Sequence, residues 1–322
     1  MPEQATTCDM GLDSTDAAGP RPAWNLAARL LLATARWAQR RSPFHHGEGL
    51  RRTTDTAAYD RWRSDSLAVQ LTDHFDPARL RSQDVLDFGS GSGELTLLVA
   101  ERCKPRSVIG VDLSEEALAR AERKAAERPQ QVRGAVRFQL ARDSRRIDLP
   151  DACVDFVLCF DVLEHVPHVD DTVSEWRRVL RPGGEVWIWW SPWRGPYGHH
   201  LESLIPLPWV HLLFRPRTIF SVCADLHDDP GFVPRHWDLD QHTGRKRLNK
   251  WRGREHFEPF LNRLTRTGFE RIARRHGLLV VDRTTHGFRG SWPARATRPL
   301  TLLPGIGECF VSFFTYRLRK GR

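Results

Sequence analysis

The sequence predicts an α/β fold: a mostly parallel sheet flanked by helices, with an inserted cap region. Three observations carry this. From residue 84 onward, short apolar runs alternate with helical patterns, the order expected of parallel strands joined by crossover helices. The alternation breaks at Ser191 and resumes only after residue 255. The chain is 322 residues long and 40% hydrophobic, enough for one large domain carrying a substantial insertion.

In chain order, residues 1–22 are polar and aperiodic and are expected to be a disordered tail. Residues 23–80 form an N-terminal helical region, with helices over about 23–41 and 56–76. The first of these, AWNLAARLLLATARWAQRR, is basic and amphipathic, a pattern that packs on its own domain or lies on a membrane surface. Residues 81–191 form the core. DVLDF is a buried strand and ELTLLVAERC its following helix. SVIGVDL is the second strand, and Ser114 caps the helix SEEALARAERKAAER, whose Glu115 and Glu116 sit where the helix dipole favours them. VRFQLA is the third strand and VDFVLCF the fourth, followed by a helix over about 170–180. Arg181-Pro182-Gly183-Gly184 is a turn leading into the fifth strand, EVWIWWS. Residues 192–255 are rich in Pro, Trp, His and Arg without periodicity and read as a cap over the active site. Residues 256–322 complete the core with the helix HFEPFLNRLTRTGFERIARRHG and the strands LLVVDRT and CFVSFFTYRLRK.

The most informative stretch is VLDFGSGSGELT, residues 85–96. A glycine-rich turn between a strand and a helix cradles a nucleotide. The spacing Gly89-Ser90-Gly91-Ser92-Gly93 is G-x-G-x-G, and Glu94 stands at the third glycine position of the dinucleotide fingerprint. Asp87, two residues before the first glycine, opposes a pyrophosphate and suits a ligand with positive charge. Together with VIGVDLSEEAL, ARDSRRIDLPDACVDFVLCFDVLEHV and LRPGGEVWI, in this order, the stretch resembles the class I S-adenosylmethionine (SAM)-dependent methyltransferases of the small-molecule group, strongly over 80–190 and more weakly over 255–320.

That resemblance implies a Rossmann-like seven-stranded sheet and SAM as cofactor. Gly89, Gly91 and Gly93 then let the backbone pass close to the methionine part, and Asp87 binds its ammonium group. Asp112, ending the second strand 19 residues after Gly93, accepts from the ribose hydroxyls, and Leu113 packs on adenine. Asp143, with Ser144, matches the position that accepts from the adenine amino group, although Arg142 replaces the usual preceding glycine. Phe160 ends the fourth strand beside the methyl donor.

The acceptor is less legible. Strand ends at this edge face the ligand crevice, so Trp190, Trp193 and Tyr197, with the later Trp209, are expected to wall an aromatic or lipid-like acceptor. His165, His199 and His200 are candidates for the base that takes a hydroxyl proton, with His199 or His200 preferred because they follow the fifth strand. Asp161-Val162-Leu163-Glu164-His165 also resembles the E-x-x-E-H pattern of some metal-dependent O-methyltransferases, in which Asp161, Glu164, His165 and a later histidine would hold Mg²⁺; the leading expectation is no metal.

The expected function is O-methylation of a small hydroxylated acceptor. A nucleic-acid methyltransferase is the alternative raised by 49 Lys and Arg against 40 Asp and Glu, a net charge of +9, but no appended RNA-binding module or N-P-P-Y-type loop is present and no DNA partner is expected. A non-catalytic SAM-binding regulator is the third class. The six cysteines include no C-x-x-C pair, so a reducing, cytoplasmic setting is expected, and no apolar run is long enough to span a membrane.

Overall fold

The computed structural model describes residues 26–41, 56–232, 234, 238–240, 243–258, 260–287 and 297–321. The tail expected over 1–22 lies outside them. Seven strands form one sheet: β1 (Asp84–Phe88), β2 (Ser107–Asp112), β3 (Val136–Leu140), β4 (Val154–Phe160), β5 (Leu180–Trp190), β6 (Leu278–His286) and β7 (Phe313–Lys320). Their order is β3-β2-β1-β4-β5-β7-β6. β1 to β5 pair in parallel, whereas β7 runs antiparallel to both β5 and β6. The sheet is thus mostly parallel, as the sequence predicts. The strand order reverses between β1 and β4, and a ligand crevice opens beyond the carboxyl ends of strands at such a point.

The helices are α1 (Leu26–Gln39), α2 (Thr56–His74), α3 (Glu94–Cys103), α4 (Glu115–Ala126), α5 (Gln130–Ala135), α6 (Val169–Val179), α7 (Val210–Leu213), α8 (Pro216–Asp228) and α9 (Arg266–Arg275). Ser114 caps α4 as expected, its hydroxyl accepting from the Ala117 N–H.

Side chains of β4 alternate between two cores. Phe156, Leu158 and Phe160 pack with α2 and α3, alongside Trp187 of β5. Val157 and Cys159 pack on the other face with Trp176 of α6, Phe269 of α9, and Phe314 and Tyr316 of β7. Both faces are covered, which is why the central strands read as unbroken apolar runs.

A third core lies outside the sheet. Ala28, Leu31 and Ala35 of α1 meet Leu201, Leu204, Ile205, Ile219, Phe220, Cys223, Trp251 and Phe257 of the insertion. Helix α1 therefore belongs with the inserted segment although more than 150 residues of chain separate them.

Four local expectations differ from the structure. The Arg181–Gly184 turn lies within β5 as a bulge: Val154 pairs with Leu180, and Phe156 already with Glu185. The helix expected over 256–277 spans only Arg266–Arg275. Thr265 caps its start, accepting from the Gly268 N–H, and Asn262 is drawn off to donate to the carbonyls of Leu163 and Val166. The last strand begins at Phe313, because Gly307–Phe310 forms a 3₁₀ turn. The short helix α5, unforeseen, leads into β3.

Trp190 is fully buried among Phe269 and Phe314 in the main core, not exposed to the crevice. Alternation explains this: Trp187 and Trp189 share one face of β5, and Trp190 takes the other. Trp190→Ala should therefore cost about 3–5 kcal/mol of unfolding free energy in a urea titration. A stable variant with only a raised acceptor KM would return Trp190 to the binding wall.

Candidate active site

The chain leaves β1 through the glycine loop. Gly89 has φ +76°, and a Cβ there would lie 2.5 Å from both Val162 methyls. Gly93, at φ +82°, would place a Cβ 2.9 Å from Ala121 and Phe138. Neither position admits a side chain, since left-handed backbone is strained for L-residues and the space is already filled.

Two cavities adjoin across Gly89 and Val162. One, about 120 Å³, is lined by Phe88, Val111, Asp112, Leu113, Asp143, Ser144, Val162 and His165 among others. The other, about 210 Å³, is lined by Tyr59, Arg63, Asp87, Ser90, Gly91, Glu94, Phe160 and Asp161 among others. The structure thus brings together all nine residues expected to hold the cofactor, except that Gly93 supports the loop from behind.

In the first cavity, Asp112 Oδ2 accepts from the Gly91 N–H at 2.8 Å and Oδ1 from the Ser114 N–H at 2.9 Å. Each carboxylate oxygen keeps a further lone pair for a ligand hydroxyl. Asp143 is more exposed, its Oδ1 accepting from the N–H groups of Arg145 and Arg146. In the second cavity Asp87 is 2% exposed, and the Thr96 hydroxyl donates to it at 2.6 Å. Burial, with added repulsion from Asp112 and Glu94, pushes its carboxyl up to about 7 despite that hydrogen bond. A buried carboxyl that is costly to ionise alone suits a cationic ligand.

Two residues of this cavity were not read from the sequence. Arg63 and Tyr59 project from α2, and Arg63 pairs with Asp161 at 2.7 Å. A helix that precedes the glycine loop carries no motif that would mark them. Trp189, also unmarked, stacks on Phe313 at 4.5 Å, which stacks on His286 at 4.3 Å.

The histidines divide sharply. His199 is fully buried, and both ring nitrogens are spent: Nδ1 accepts from the Leu201 N–H at 2.9 Å, which leaves Nε2 to donate to the Leu207 carbonyl. It is a structural residue of the insertion and not the base. Trp193 is likewise a core residue there, its ring 4.7 Å from His211 and 4.9 Å from Phe257. Tyr197, half-buried beside His199, lines neither cavity. Trp209 is turned to the Cys309 carbonyl, to which its indole donates at 2.7 Å.

His165 and His200 converge instead on Glu164. Their rings are 5.3 Å apart, and His200 Nε2 is 3.9 Å from Glu164 Oε1. His165 Nδ1 donates to the Phe260 carbonyl at 2.8 Å, which leaves Nε2 as an acceptor. Glu164 is 3% exposed, and neither carboxyl oxygen has a hydrogen-bond partner. Burial, reinforced by Asp161, pushes its carboxyl up to about 8, and burial, reinforced by His165, pushes the His200 imidazole down to about 3. One ligand atom from each of Glu164, His165 and His200 lies within 4.8 Å of the others. Of the metal set expected from sequence, Asp161 is paired with Arg63, while Glu164, His165 and the later histidine, His200, come together.

Comparison with known proteins accords with this geometry. The family described as "Methyltransferase domain" matches residues 86–188. A ubiquinone biosynthesis O-methyltransferase of Idiomarina loihiensis is 35% identical over 109 residues, 34% of this chain and 42% of that one. A phosphatidylethanolamine N-methyltransferase of Cereibacter sphaeroides is 37% identical over 108 residues, 34% of this chain and 50% of that one. A ubiquinone/menaquinone biosynthesis C-methyltransferase of Burkholderia orbicola is 30% identical over 132 residues, 39% of this chain and 51% of that one. The chain thus spans about half the length of these curated relatives. Residues 86–188 are thus similar to a methyltransferase domain.

The buried histidines make the insertion acid-labile. Burial, aided by mutual repulsion, holds His199 down to about 3, and burial holds His211 down to about 4. A lowered imidazole pKa contributes stability that is complete above the unfolded value of about 6.5 and is lost as pH falls toward the folded value. Each group should add a slope of about 1.4 kcal/mol per pH unit between those limits. Thermal melts at stepped pH should show Tm falling below pH 6.5, and His199→Asn should flatten that slope. An unchanged slope in both His199→Asn and His211→Asn would assign the acid limb to other groups.

Proposed function

We propose that the protein transfers the methyl group of SAM to a hydroxyl of a small, partly apolar acceptor. The observation that carries this is the pair of cavities meeting at Gly89 and Val162, with Asp112 and Asp143 on one side and Asp87 and Arg63 on the other. The residues fit the cofactor. Asp87 is a buried carboxyl short of a counter-charge, which the cofactor's ammonium group supplies. Arg63 can exchange Asp161 for the cofactor's carboxylate, a bidentate match for guanidinium. Asp112 and Asp143 accept from the ribose and adenine, and Phe160 abuts the reacting end.

When bound, SAM supplies a methyl group on positively charged sulfur, which departs as a neutral thioether once the acceptor oxygen bonds to the methyl carbon. The acceptor proton must go to a base. His165 lines the first cavity beside Val162, and His200 packs against its ring; they are the two candidate imidazoles left after His199 is excluded. The relatives named above are O-, N- and C-methyltransferases, so the choice of oxygen rests on this cluster. An apolar acceptor is favoured by Leu67, Leu95, Phe160 and Val162, which line the second cavity.

A second reading of the cluster is a divalent metal centre, favoured by the three converging ligand atoms and the orphaned Glu164 carboxyl. Two imidazoles and one carboxylate suit a transition ion better than Mg²⁺, which prefers oxygen ligands. Such an ion would supply Lewis acidity, lowering the pKa of an acceptor hydroxyl.

Cofactor affinity should follow Asp112 and Asp87. By calorimetry, Asp112→Ala should weaken SAM binding by about 1.5–3 kcal/mol. Below pH 7 wild-type affinity should fall, up to about tenfold per unit, as the Asp87 carboxylate takes its proton, and Asp87→Asn should bind weakly with no such slope. Equal pH dependence in both would remove Asp87 from the ammonium site.

The two readings of the histidine cluster part on turnover. With an imidazole base, His165→Gln or His200→Gln should lower kcat by roughly 10²–10⁴ with SAM still bound, and chelator should do nothing. With a metal, chelator should abolish turnover, an added divalent transition ion should restore it, and Glu164→Gln should be as damaging as either histidine variant. Near-normal rates in all three variants would overturn both.

A further inference from the structure

Helix α1 has two apolar faces, and the insertion explains only one. Ala28, Leu31, Ala35 and Ala38 are buried against the third core. On another face Leu26, Leu30, Ala33 and Trp37 follow at intervals of four, three and four residues, a continuous helical stripe. All four are exposed, Leu26 by 83%, Leu30 by 56% and Trp37 by 53%. Large apolar side chains aligned this way on a surface mark a contact site rather than scattered exposure.

The charges beside the stripe indicate what it contacts. Residues 26–41 contain four arginines, Arg29, Arg36, Arg40 and Arg41, and no acidic residue. All four are exposed. Arg29, Arg36 and Arg40 lie along one flank, and the Arg41 guanidinium sits 4.6 Å over the Trp37 ring. Tryptophan with arginine at its edge is the pairing found where an apolar phase meets anionic headgroups. The small residues of the inner face let α1 lie close on α8, so the larger ones stand outward.

We propose that the outer stripe of α1 docks on an anionic lipid bilayer, with Leu26, Leu30 and Trp37 entering the headgroup boundary and the arginines other than Arg36, which pairs with Asp229, meeting lipid phosphates. No helix among the described residues is long and apolar enough to cross a membrane, so the contact is peripheral. The docked helix shares its core with the insertion, which brings that segment to the bilayer surface and gives the protein access to membrane-resident acceptors. The docking itself is independent of the activity proposed above, because it is read from vesicle binding without turnover.

The test is co-sedimentation of the full chain with phosphatidylcholine vesicles, with and without phosphatidylglycerol. Wild type should bind the anionic vesicles, bind pure phosphatidylcholine poorly, and be released by raised salt. Leu30→Asp and Trp37→Asp, both at exposed positions, should each weaken binding about tenfold or more, with circular dichroism and Tm unchanged. Arg40→Ala and Arg41→Ala should each weaken it about five-fold on anionic vesicles. Binding that ignores Leu30→Asp and Trp37→Asp would overturn the proposal. So would absence of vesicle binding together with a dimer that Trp37→Asp dissociates, which would make the stripe a contact between copies of the chain.

Discussion

Everything at the site depends on how closely two chain segments approach at the end of the sheet. Gly89 leaves β1, and Val162 follows β4, with the valine methyls where a side chain at residue 89 would have to be. The contact holds the two strand exits at the reversal point of the sheet. It also forms the common wall of the two cavities, so that one ligand lying across the glycine loop would reach both. A bulkier residue at 89 would push the fourth-strand exit outward, carrying Asp161, Glu164 and His165 with it.

The second organising fact is that the site is assembled with its charges suppressed. Asp87 and Glu164 hold carboxyls shifted far upward by burial, and His165 and His200 hold imidazoles shifted downward. Burial pushes acids and bases in opposite directions toward neutrality. Arg63 and Asp161 face each other as an ion pair. A cation arriving at Asp87, or at the Glu164 cluster, would favour the ionised form of a group that burial holds back from ionising.

The fold was legible because its signals are local. Alternating strand and helix runs, the Gly89–Gly93 loop and Ser114 as a cap each follow from a few adjacent residues, and Asp87 and Asp112, which line the paired cavities, came with the strand ends. What was misread depended on contacts distant in sequence. His199 and His200 are neighbours, yet one is locked between Leu201 and Leu207 while the other faces Glu164. Trp190 was expected at the crevice because it ends the strand, but the pleat turns it into the main core. The helix expected before Arg266 had the right periodicity but lost to Asn262, whose amide is needed at the 163–166 turn. Arg63 carried no local mark at all, since its meaning arises only when Asp161 is brought beside it.

The insertion and α1 bury their apolar side chains in a core that shares no residue with either core of the sheet. Effects of substitutions in regions without shared partners are close to additive. Substitutions within that core should therefore leave the cores of the sheet largely unchanged. The segment from Leu201 to Phe257 can drift in sequence faster than the strands, held to the rest of the chain at a few joints such as Phe260 against His165 and Trp209 on Cys309.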